Sequence, residues 1–373
     1  MSKKSGNGER ILVGRDTYLS LLDKPTNLCI IGEKGIGKTA LLKEFIRKTR
    51  EQKQTLPIYV DFEKISLSPE DFCVEFIATI LHQTLGGNYT DYTEIEKLEK
   101  IKDKLGKGAE IIDKVKNELE KISPNQQLLL ELAFKFTEAI GEKNTKKIVL
   151  CMDEFWRILD LNNYSRTSDV ISLFKNVSST HSYTNYTITG SAAEITKEIA
   201  RKLEIKVVEL GKFEKRDTKE LATGIADKDI ELIQKLSNGI PYAVSVLTEK
   251  YGEEKDVKKI FLKEMLEDKG ILYNFYTNYL NESLGRARGK SLLWVILKKL
   301  SVKDMKLSEA SKAIHRSSAV TKNLLSRLTD VDLIAREGNV YTIKNKLLKY
   351  FINKTSYGYK SIEELYNKVE EEV

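Results

Sequence analysis

Residues 28–40 read Leu28-Cys29-Ile30-Ile31-Gly32-Glu33-Lys34-Gly35-Ile36-Gly37-Lys38-Thr39-Ala40, an apolar run followed by a complete G-x-x-x-x-G-K-[ST] pattern. A helix-like stretch, residues 40–46, comes directly after it. In a strand–loop–helix context this pattern forms a phosphate loop, because its glycines let backbone N–H groups turn inward around a polyphosphate. We therefore expect every residue of 32–40 to contact a nucleotide, with Lys38 on the β- and γ-phosphates and the Thr39 hydroxyl on Mg²⁺.

An acidic pair follows a second apolar run. Residues 148–152 read as a buried strand that ends at Asp153 and Glu154. At that position Asp153 suits holding Mg²⁺ through water, and Glu154 suits a general base toward the attacking water. Such a pair alone is also compatible with the acid-rich start of a helix. The phosphate loop upstream favours the catalytic interpretation.

Further apolar runs alternate with helix-like segments along the first part of the chain. After the runs at 28–31 and 148–152, others read as strands at 56–62, 186–191 and 205–210. Strands that alternate with helices predict an α/β fold, a parallel sheet with helices on both faces. Between the second and third strands lies a helical insertion, whose apolar positions follow a 3–4 alternation at Leu98, Ile101, Leu105, Ile112, Val115, Leu119 and Ile122. It fits packing within its own domain better than a coiled-coil contact.

The C-terminal part combines a distinct element order with a basic charge. Helix-like segments at 291–300, 307–315 and 319–328 precede a hairpin pattern at 333–343, the order of a winged helix-turn-helix. Residues 281–360 carry 17 basic and 6 acidic side chains, a net charge of +11, whereas residues 1–280 sum to zero and residues 361–373 to −4. This charge favours double-stranded DNA as partner, although a protein-docking role stays open. The side chains expected to contact DNA are Ser317, Ser318, Thr321, Lys322, Asn323, Arg327, Arg336 and Asn339.

Five segments together resemble one protein family. They are Val13-Gly14-Arg15, the phosphate loop, Cys151-Met152-Asp153-Glu154-Phe155, Thr189-Gly190-Ser191 and Gly239-Ile240-Pro241. Their order resembles that of archaeal AAA+/STAND-like P-loop ATPases, from about residue 10 to 350 with the insertion excepted. The resemblance implies ATP and Mg²⁺ as cofactors, a helical lid and a C-terminal winged helix. Together with the composition and charge of the chain, it predicts a flexible N-terminus at 1–10, an ATPase domain at 11–212 with the insertion at about 69–145, a lid at 213–285, and a winged-helix domain with an acidic tail at 286–373.

The resemblance also assigns roles to single residues. It implies that Val13, Gly14 and Arg15 lie near the adenine and that Pro241 belongs to a lid element approaching the nucleotide. It implies that Thr189 senses the γ-phosphate, with Ser191 as the competing candidate. An arginine finger is not evident from the sequence; Arg201, before the fifth strand, is a candidate for a conformationally coupled arginine, and a surface arginine without a role is the alternative.

Three functions are compatible with these residues. The first is a cytoplasmic ATPase whose nucleotide state controls DNA binding by the winged helix. The second is a slow ATP-dependent signalling switch that docks a protein partner through the winged helix or the insertion. A DNA loader, homo-oligomeric or not, fits the same residues. No apolar run approaches the roughly 20 residues that span a bilayer, so no membrane partner is expected, and three cysteines without C-x-x-C spacing predict no metal cluster.

Overall fold

The computed structural model describes residues 2–4, 10–24, 26–51, 54–167, 169–285 and 289–357. The predicted acidic tail and residues 1 and 5–9 of the predicted N-terminal lead lie outside the described residues. Within the described part of this segment, strand β1 (Ser2–Lys4) pairs antiparallel with strand β2 (Arg10–Leu12). The pairing supplies partners for backbone groups that would otherwise rely on water.

A five-stranded parallel sheet forms the centre of the first part of the chain. Its strands, in the order β4-β5-β6-β3-β7, are β3 (Leu28–Ile31), β4 (Thr55–Asp61), β5 (Lys147–Asp153), β6 (Thr184–Gly190) and β7 (Lys206–Glu209). All five predicted strands are confirmed, with ends shifted by one or two residues. Because parallel strands end at the same edge of a sheet, β3, β5 and β6 bring the phosphate loop, Asp153 and Thr189 together.

Helices cover both faces of this sheet, as predicted. Alternate residues of β3 point to opposite layers: Leu28 and Ile30 pack in one apolar cluster, Cys29 and Ile31 in another. The helices are α1 (Asp16–Leu22), α2 (Lys38–Arg50), α3 (Pro69–Leu85), α4 (Thr90–Thr93), α5 (Ile95–Leu98), α6 (Lys107–Leu119), α7 (Gln126–Asn144), α8 (Val170–Ser178) and α9 (Ala193–Lys202), with 3-10 helices at Glu99–Lys104 and Phe155–Asn163.

The apolar seam of the helical insertion packs inside its own domain. Leu98, Leu105, Ile112 and Val115 are buried in the core cluster that contains the centre of the sheet. The seam is not one continuous helix, because Gly106 with φ 55° separates the 3-10 segment from α6. Its last predicted member, Ile122, is fully exposed. Packing within the domain is therefore the better description of the insertion.

The remaining described residues form a helical unit (residues 213–285) and a C-terminal unit (residues 289–357). The helical unit contains α10 (Lys215–Leu221), α11 (Asp227–Leu236), α12 (Pro241–Lys250), α13 (Val257–Leu266) and α14 (Ile271–Gly285). The C-terminal unit contains α15 (Lys290–Val302), β8 (Met305–Lys306), α16 (Leu307–Ile314), α17 (Ser318–Asp330), β9 (Ala335–Glu337), β10 (Val340–Thr342) and α18 (Lys346–Tyr357).

The C-terminal unit has the predicted three helices and hairpin, with two additions. The short strand β8 completes a three-stranded antiparallel sheet in the order β8-β10-β9, and α18 follows the hairpin. One apolar core runs through the helical and C-terminal units, so the boundary at 285/286 does not divide their packing. Across the described part of the chain, no helix has the length and apolarity that crossing a membrane requires.

Candidate active site

The phosphate loop adopts a conformation that only glycine accepts easily at two of its positions. Gly35 has φ 86° and Gly37, directly before α2, has φ 99°. Positive φ values let consecutive backbone N–H groups face a common centre, and α2 adds the positive end of its dipole. Beside the loop lies a cavity of about 330 Å³, lined by Lys34, Gly35, Gly37, Lys38, Thr39, Ala40, Lys43, Glu63, Glu154 and Phe275. The loop and its cavity therefore suit a bound anion.

Lys38 is buried beside the loop that it would serve. Its Nζ donates to the carbonyl oxygen of Gly32 at 2.8 Å and lies 3.5 Å from Glu154 Oε1. A flexible side chain with three donors can exchange these partners for phosphate oxygens. The predicted phosphate contact of Lys38 is therefore within reach in this arrangement.

Asp153, at the end of β5, accepts hydrogen bonds from three hydroxyl groups. Thr39 Oγ1 donates to Asp153 Oδ2 at 2.5 Å, Tyr59 Oη donates to the same oxygen at 2.8 Å, and Thr189 Oγ1 donates to Asp153 Oδ1. Burial, followed by the charges of Asp153 and Asp61, raises the pKa of Tyr59. The phenol therefore stays a hydrogen-bond donor.

The Thr39–Asp153 pair fits a magnesium ion. A hydroxyl that donates its proton keeps two lone pairs, so Thr39 can bind Asp153 and a cation together. Mg²⁺ is held in such sites by one or two carboxylates plus substrate phosphates. The described residues contain no group of three or more His, Cys, Asp or Glu arranged to hold a metal.

Glu154 is held in an uncommon backbone conformation. Its φ is 53°, which costs of order 1 kcal/mol for a residue other than glycine. Its Oε2 accepts hydrogen bonds from Trp156 Nε1 at 2.7 Å and from the Ser191 backbone N–H and hydroxyl at 2.9 and 2.7 Å. Burial alone raises the pKa of Glu154, but the Lys38 charge and these hydrogen bonds outweigh it and lower the pKa to about 2. Such a carboxylate orients water by accepting its hydrogen bond more readily than it removes a proton.

The two candidates for a γ-phosphate sensor differ in position. Thr189 is fully buried, and its hydroxyl contacts Asp153 and accepts from the Glu154 backbone N–H at 3.2 Å. Ser191 lies at the end of β6 on the wall of a second cavity of about 400 Å³, which shares Lys34 and Glu63 with the first. Thr189 thus positions the acidic pair, while Ser191 borders open space. Arg201 is exposed in the last turn of α9, at the opposite end of that helix from Ser191.

The predicted adenine segment sits against the phosphate loop. Arg15 is buried and its Nη2 donates to the carbonyl oxygens of Ile36 at 3.1 Å and Gly211 at 2.8 Å. Its guanidinium lies 4.9 Å from the centre of the Phe213 ring. Gly14 has φ 64°, and a Cβ there would lie 2.7 Å from Asp217 Cγ. Val13 is buried in the core of the helical unit, so this segment joins the loop to that unit.

The helical unit contacts the phosphate loop through α12 and α14. The Tyr242 backbone N–H donates to the Gly35 carbonyl oxygen at 3.1 Å, directly after Pro241 at the start of α12. From α14, Phe275 Cζ lies 3.3 Å from where a Cβ of Gly35 would stand. Glu282 of the same helix pairs with Lys34 at 3.1 Å. The predicted lid segment therefore does approach the loop, although Pro241 itself is buried in the unit.

The C-terminal unit also contacts the site. Asn345, between β10 and α18, donates through Nδ2 to Glu33 Oε2 at 3.2 Å. Glu33 lies 3.6 Å from Lys212 Nζ on its other carboxylate oxygen. The carboxyl group of Asp332, in the turn after α17, lies close to the backbone N–H of Ala193 at the start of α9. Two segments of the unit thus contact the edge of the sheet that carries the site.

Most of the predicted DNA contacts are on the protein surface. The exposed side chains are Ser317, Ser318, Lys322, Asn323, Arg327, Arg336 and Asn339. Thr321 is a correction: it is fully buried, and its hydroxyl donates to the Ser317 carbonyl oxygen at 2.9 Å. It shares the inner face of α17 with Leu324, Leu325 and Leu328, because residues three, four and seven apart align on a helix.

Sequence reasoning did not identify four residues at this site. Tyr59 and Trp156 hold Asp153 and Glu154, while Glu282 and Asn345 reach the phosphate loop from distant parts of the chain. Tyr59 did carry a signal, since it lies two residues before the end of the strand next to β5. Glu282 is 248 positions from Lys34, and Asn345 is 312 positions from Glu33. No local sequence pattern predicts contacts over such separations.

Comparisons with known proteins agree with this geometry. A model of an ATPase domain found predominantly in Archaea matches residues 19–247, whereas no curated protein matches the sequence. The structure is similar to a Walker-type ATPase of Pyrococcus abyssi, with a TM-score of 0.66 and 18% identity over 94% of this chain and 98% of that chain. It is also similar to the ORC2 protein of Aeropyrum pernix in complexes with ADPNP and ADP, with a TM-score of 0.53 and 13% identity over 97% and 95% of the chains. At these identities the likeness concerns the fold.

Proposed function

Because this chain belongs to the family of ATPase domains found predominantly in archaea and is an ATPase, we propose that its nucleotide state controls how the C-terminal unit engages double-stranded DNA. The observation that carries this proposal is the hydrogen bond between Asn345 of the C-terminal unit and Glu33 of the phosphate loop, at 3.2 Å. A residue of the loop that binds nucleotide is thereby a direct partner of the unit that we expect to bind DNA.

The chemistry proposed for the site assigns one task to each residue. Lys38 leaves the Gly32 carbonyl to bind phosphate oxygens, and the loop amides bind the rest of the polyphosphate. Thr39 and Asp153 are the residues that would hold Mg²⁺, which when bound neutralises charge on the β- and γ-phosphates. Glu154 orients the attacking water. ADPNP and ADP in the similar ORC2 protein support an adenine nucleotide as the ligand here.

Nucleotide binding would first change the contacts between the helical unit and the phosphate loop. Phosphate on the loop competes for the same surface that Phe275 approaches, and it adds negative charge beside the Lys34–Glu282 pair. That pair is partly exposed, so it contributes only about 0.2–1 kcal/mol. A weak contact of this kind suits a switch, since a bound nucleotide can readily outweigh it.

The C-terminal unit would follow because it shares a core with the helical unit. Tyr276 of α14 donates to Asn345 Oδ1 at 3.4 Å, and Asn345 also accepts from the Leu348 backbone N–H at 3.0 Å. Movement of α14 therefore acts directly on the residue that contacts Glu33. We infer that this chain of contacts couples the nucleotide to α17 and the hairpin.

Three features support DNA as the partner of the C-terminal unit. The order of its elements is that of a winged helix-turn-helix, its sequence region carries a net charge of +11, and the amino-terminal half of α17 exposes Ser318, Lys322 and Asn323. Short polar and amide side chains at that end of a helix suit base edges in the major groove. Arg336 and Asn339 lie at the hairpin, where backbone contacts are usual.

The competing function is a switch that docks a protein partner through the insertion or the C-terminal unit. The first of these two surfaces has few apolar side chains left for docking. The seam of the insertion is buried in the protein's own core at Leu98, Leu105, Ile112 and Val115. A docking switch would therefore bind its partner through the C-terminal unit. A DNA-loading role, homo-oligomer formation and a cytoplasmic location are compatible with this proposal.

A salt titration separates the two functions. Direct contact with DNA phosphates predicts that the logarithm of the binding constant falls with the logarithm of salt concentration, with a slope of roughly −0.9 per phosphate neutralised. Lys322→Glu combined with Arg327→Glu should abolish binding, whereas Lys299→Glu, at an exposed position of α15 that is not part of the predicted interface, serves as the charge control. Equal DNA binding by the double variant and the wild type would contradict the DNA interface and favour the docking function.

A further inference from the structure

One side chain that holds Asp153 comes from outside the phosphate loop and the acidic pair. Tyr59 lies on β4, and its hydroxyl donates to Asp153 Oδ2 at 2.8 Å. The same oxygen accepts from Thr39 at 2.5 Å. The side chain is therefore placed at the two residues that would bind the metal.

The backbone of Tyr59 is fixed by an unusual pair of contacts. Strand β4 is one of the two outer strands of the sheet, so among the described residues no strand lies along its free edge. At that edge the Gln83 side chain of α3 accepts from the Tyr59 N–H at 2.9 Å and donates to the Tyr59 carbonyl oxygen at 2.7 Å. A single amide side chain thus takes the place of a missing strand at this residue, and this restricts where the phenol can point.

The ring of Tyr59 is also restrained on the side of the phosphate loop. Lys43 Nζ, one turn of α2 beyond Thr39, lies 5.8 Å from the centre of the ring, within the range of a cation–π contact. Lys43 lines the same cavity as Lys38 and Thr39. The phenol therefore stands between a strand edge that is locked by Gln83 and a cation at the phosphate site.

We propose that Tyr59 is a positioning residue for magnesium–nucleotide binding, which acts by fixing the orientation of the Asp153 carboxylate. The inference rests on the proposed role of Thr39 and Asp153 in holding Mg²⁺. Thr189 fixes Oδ1 and Tyr59 fixes Oδ2, so the plane of the carboxylate is set before the cation arrives. Outer partners of this kind change metal affinity by about 10–100-fold when they are removed.

The test is the magnesium dependence of nucleotide affinity. Binding of a nonhydrolysable ATP analogue is measured by calorimetry in EDTA and at a series of free Mg²⁺ concentrations. For Tyr59→Phe we expect unchanged affinity in EDTA and a half-saturating Mg²⁺ concentration raised about 10-fold, the lower end of the range for an outer partner. A merely structural role would change the two conditions together or leave both unchanged.

Tyr251→Phe is the matched control. Tyr251 in the helical unit makes the same kind of bond, its hydroxyl donating to Asp229 Oδ2 at 2.7 Å. Its magnesium dependence should equal that of the wild type, and the Tm values of the two variants should be similar. Equal half-saturation by Mg²⁺ in Tyr59→Phe and the wild type would overturn the inference, as would an equal shift in Tyr251→Phe. A wild type that binds the analogue without any effect of Mg²⁺ would instead refute the proposed metal site.

Discussion

Asp332 offers a pH-dependent test of how the C-terminal unit contacts the ATPase domain. The residue lies between α17 and β9 with φ 61°, and its carboxyl group faces the start of α9. Burial raises its pKa, the N–H of Ala193 and the Lys38 charge oppose this, and Glu33 and Glu194 add to it. The result is a pKa of about 6 instead of the ordinary 3.8. Replacement by asparagine removes the ionisation and keeps an oxygen acceptor.

The size and sign of the effect follow from linkage. The pKa is raised from 3.8 to about 6, and each unit corresponds to about 1.4 kcal/mol, so ionisation of Asp332 costs the folded arrangement about 3 kcal/mol. A raised acid pKa stabilises below the unfolded value and loses that contribution as the pH rises through the folded value. Wild-type stability should therefore fall between pH 4 and pH 7 from this group, whereas Asp332→Asn should lack that part of the fall.

The assay is denaturant unfolding at pH 4.5, 6 and 8. We expect Asp332→Asn to gain up to about 3 kcal/mol relative to the wild type between the lowest and highest pH. Asp304→Asn, an exposed aspartate of the same unit, controls for net charge. Parallel pH curves for the wild type and Asp332→Asn would refute the reasoning, because they would mean that Asp332 ionises equally in both states.

Three further predictions concern the site itself. Lys38→Ala should abolish binding of an ATP analogue in calorimetry, because it removes the cation that reaches the phosphates; retained affinity would contradict this. Glu154→Gln should keep analogue affinity but lower the hydrolysis rate by about 10-fold, because a neutral amide oxygen accepts the hydrogen bond of the attacking water about half as strongly as a carboxylate does; an unchanged rate would remove Glu154 from the role of orienting that water. Gly190→Ala should destabilise by about 1–3 kcal/mol in denaturant unfolding, since its Cβ would lie 2.0 Å from Thr196 Oγ1; stability equal to the wild type would show that Thr196 can move to make room for the added methyl group.

The sheet and the central acid pair were predictable because their signals are local. The phosphate loop needs eight residues in a row, and buried parallel strands are short apolar runs, so both are visible in the sequence. The direction of the strands then brings Asp153 and Thr39 together without further information. The observed 2.5 Å contact between those two side chains is the outcome.

The contacts that connect the units were not predictable, because they depend on how separate elements pack. Asn345 and Glu33 are 312 positions apart, and α18 was missed although it packs in the common core of the two units. Thr321 was assigned to the DNA surface because it is polar, whereas its position relative to Leu325 and Leu328 puts it on the buried face. The polarity of Thr321 suggested contact with DNA, whereas its helical periodicity places it in the core.

The central claim is that the nucleotide at the phosphate loop governs DNA engagement by the C-terminal unit. The most direct measurement is the dissociation constant for duplex DNA at one fixed salt concentration, with and without Mg²⁺ and a nonhydrolysable ATP analogue, in the wild type and in Lys38→Ala. Allosteric coupling of ordinary size predicts a change of about 5-fold or more in the wild type and none in Lys38→Ala. A wild type that binds DNA equally well in both states would contradict the account.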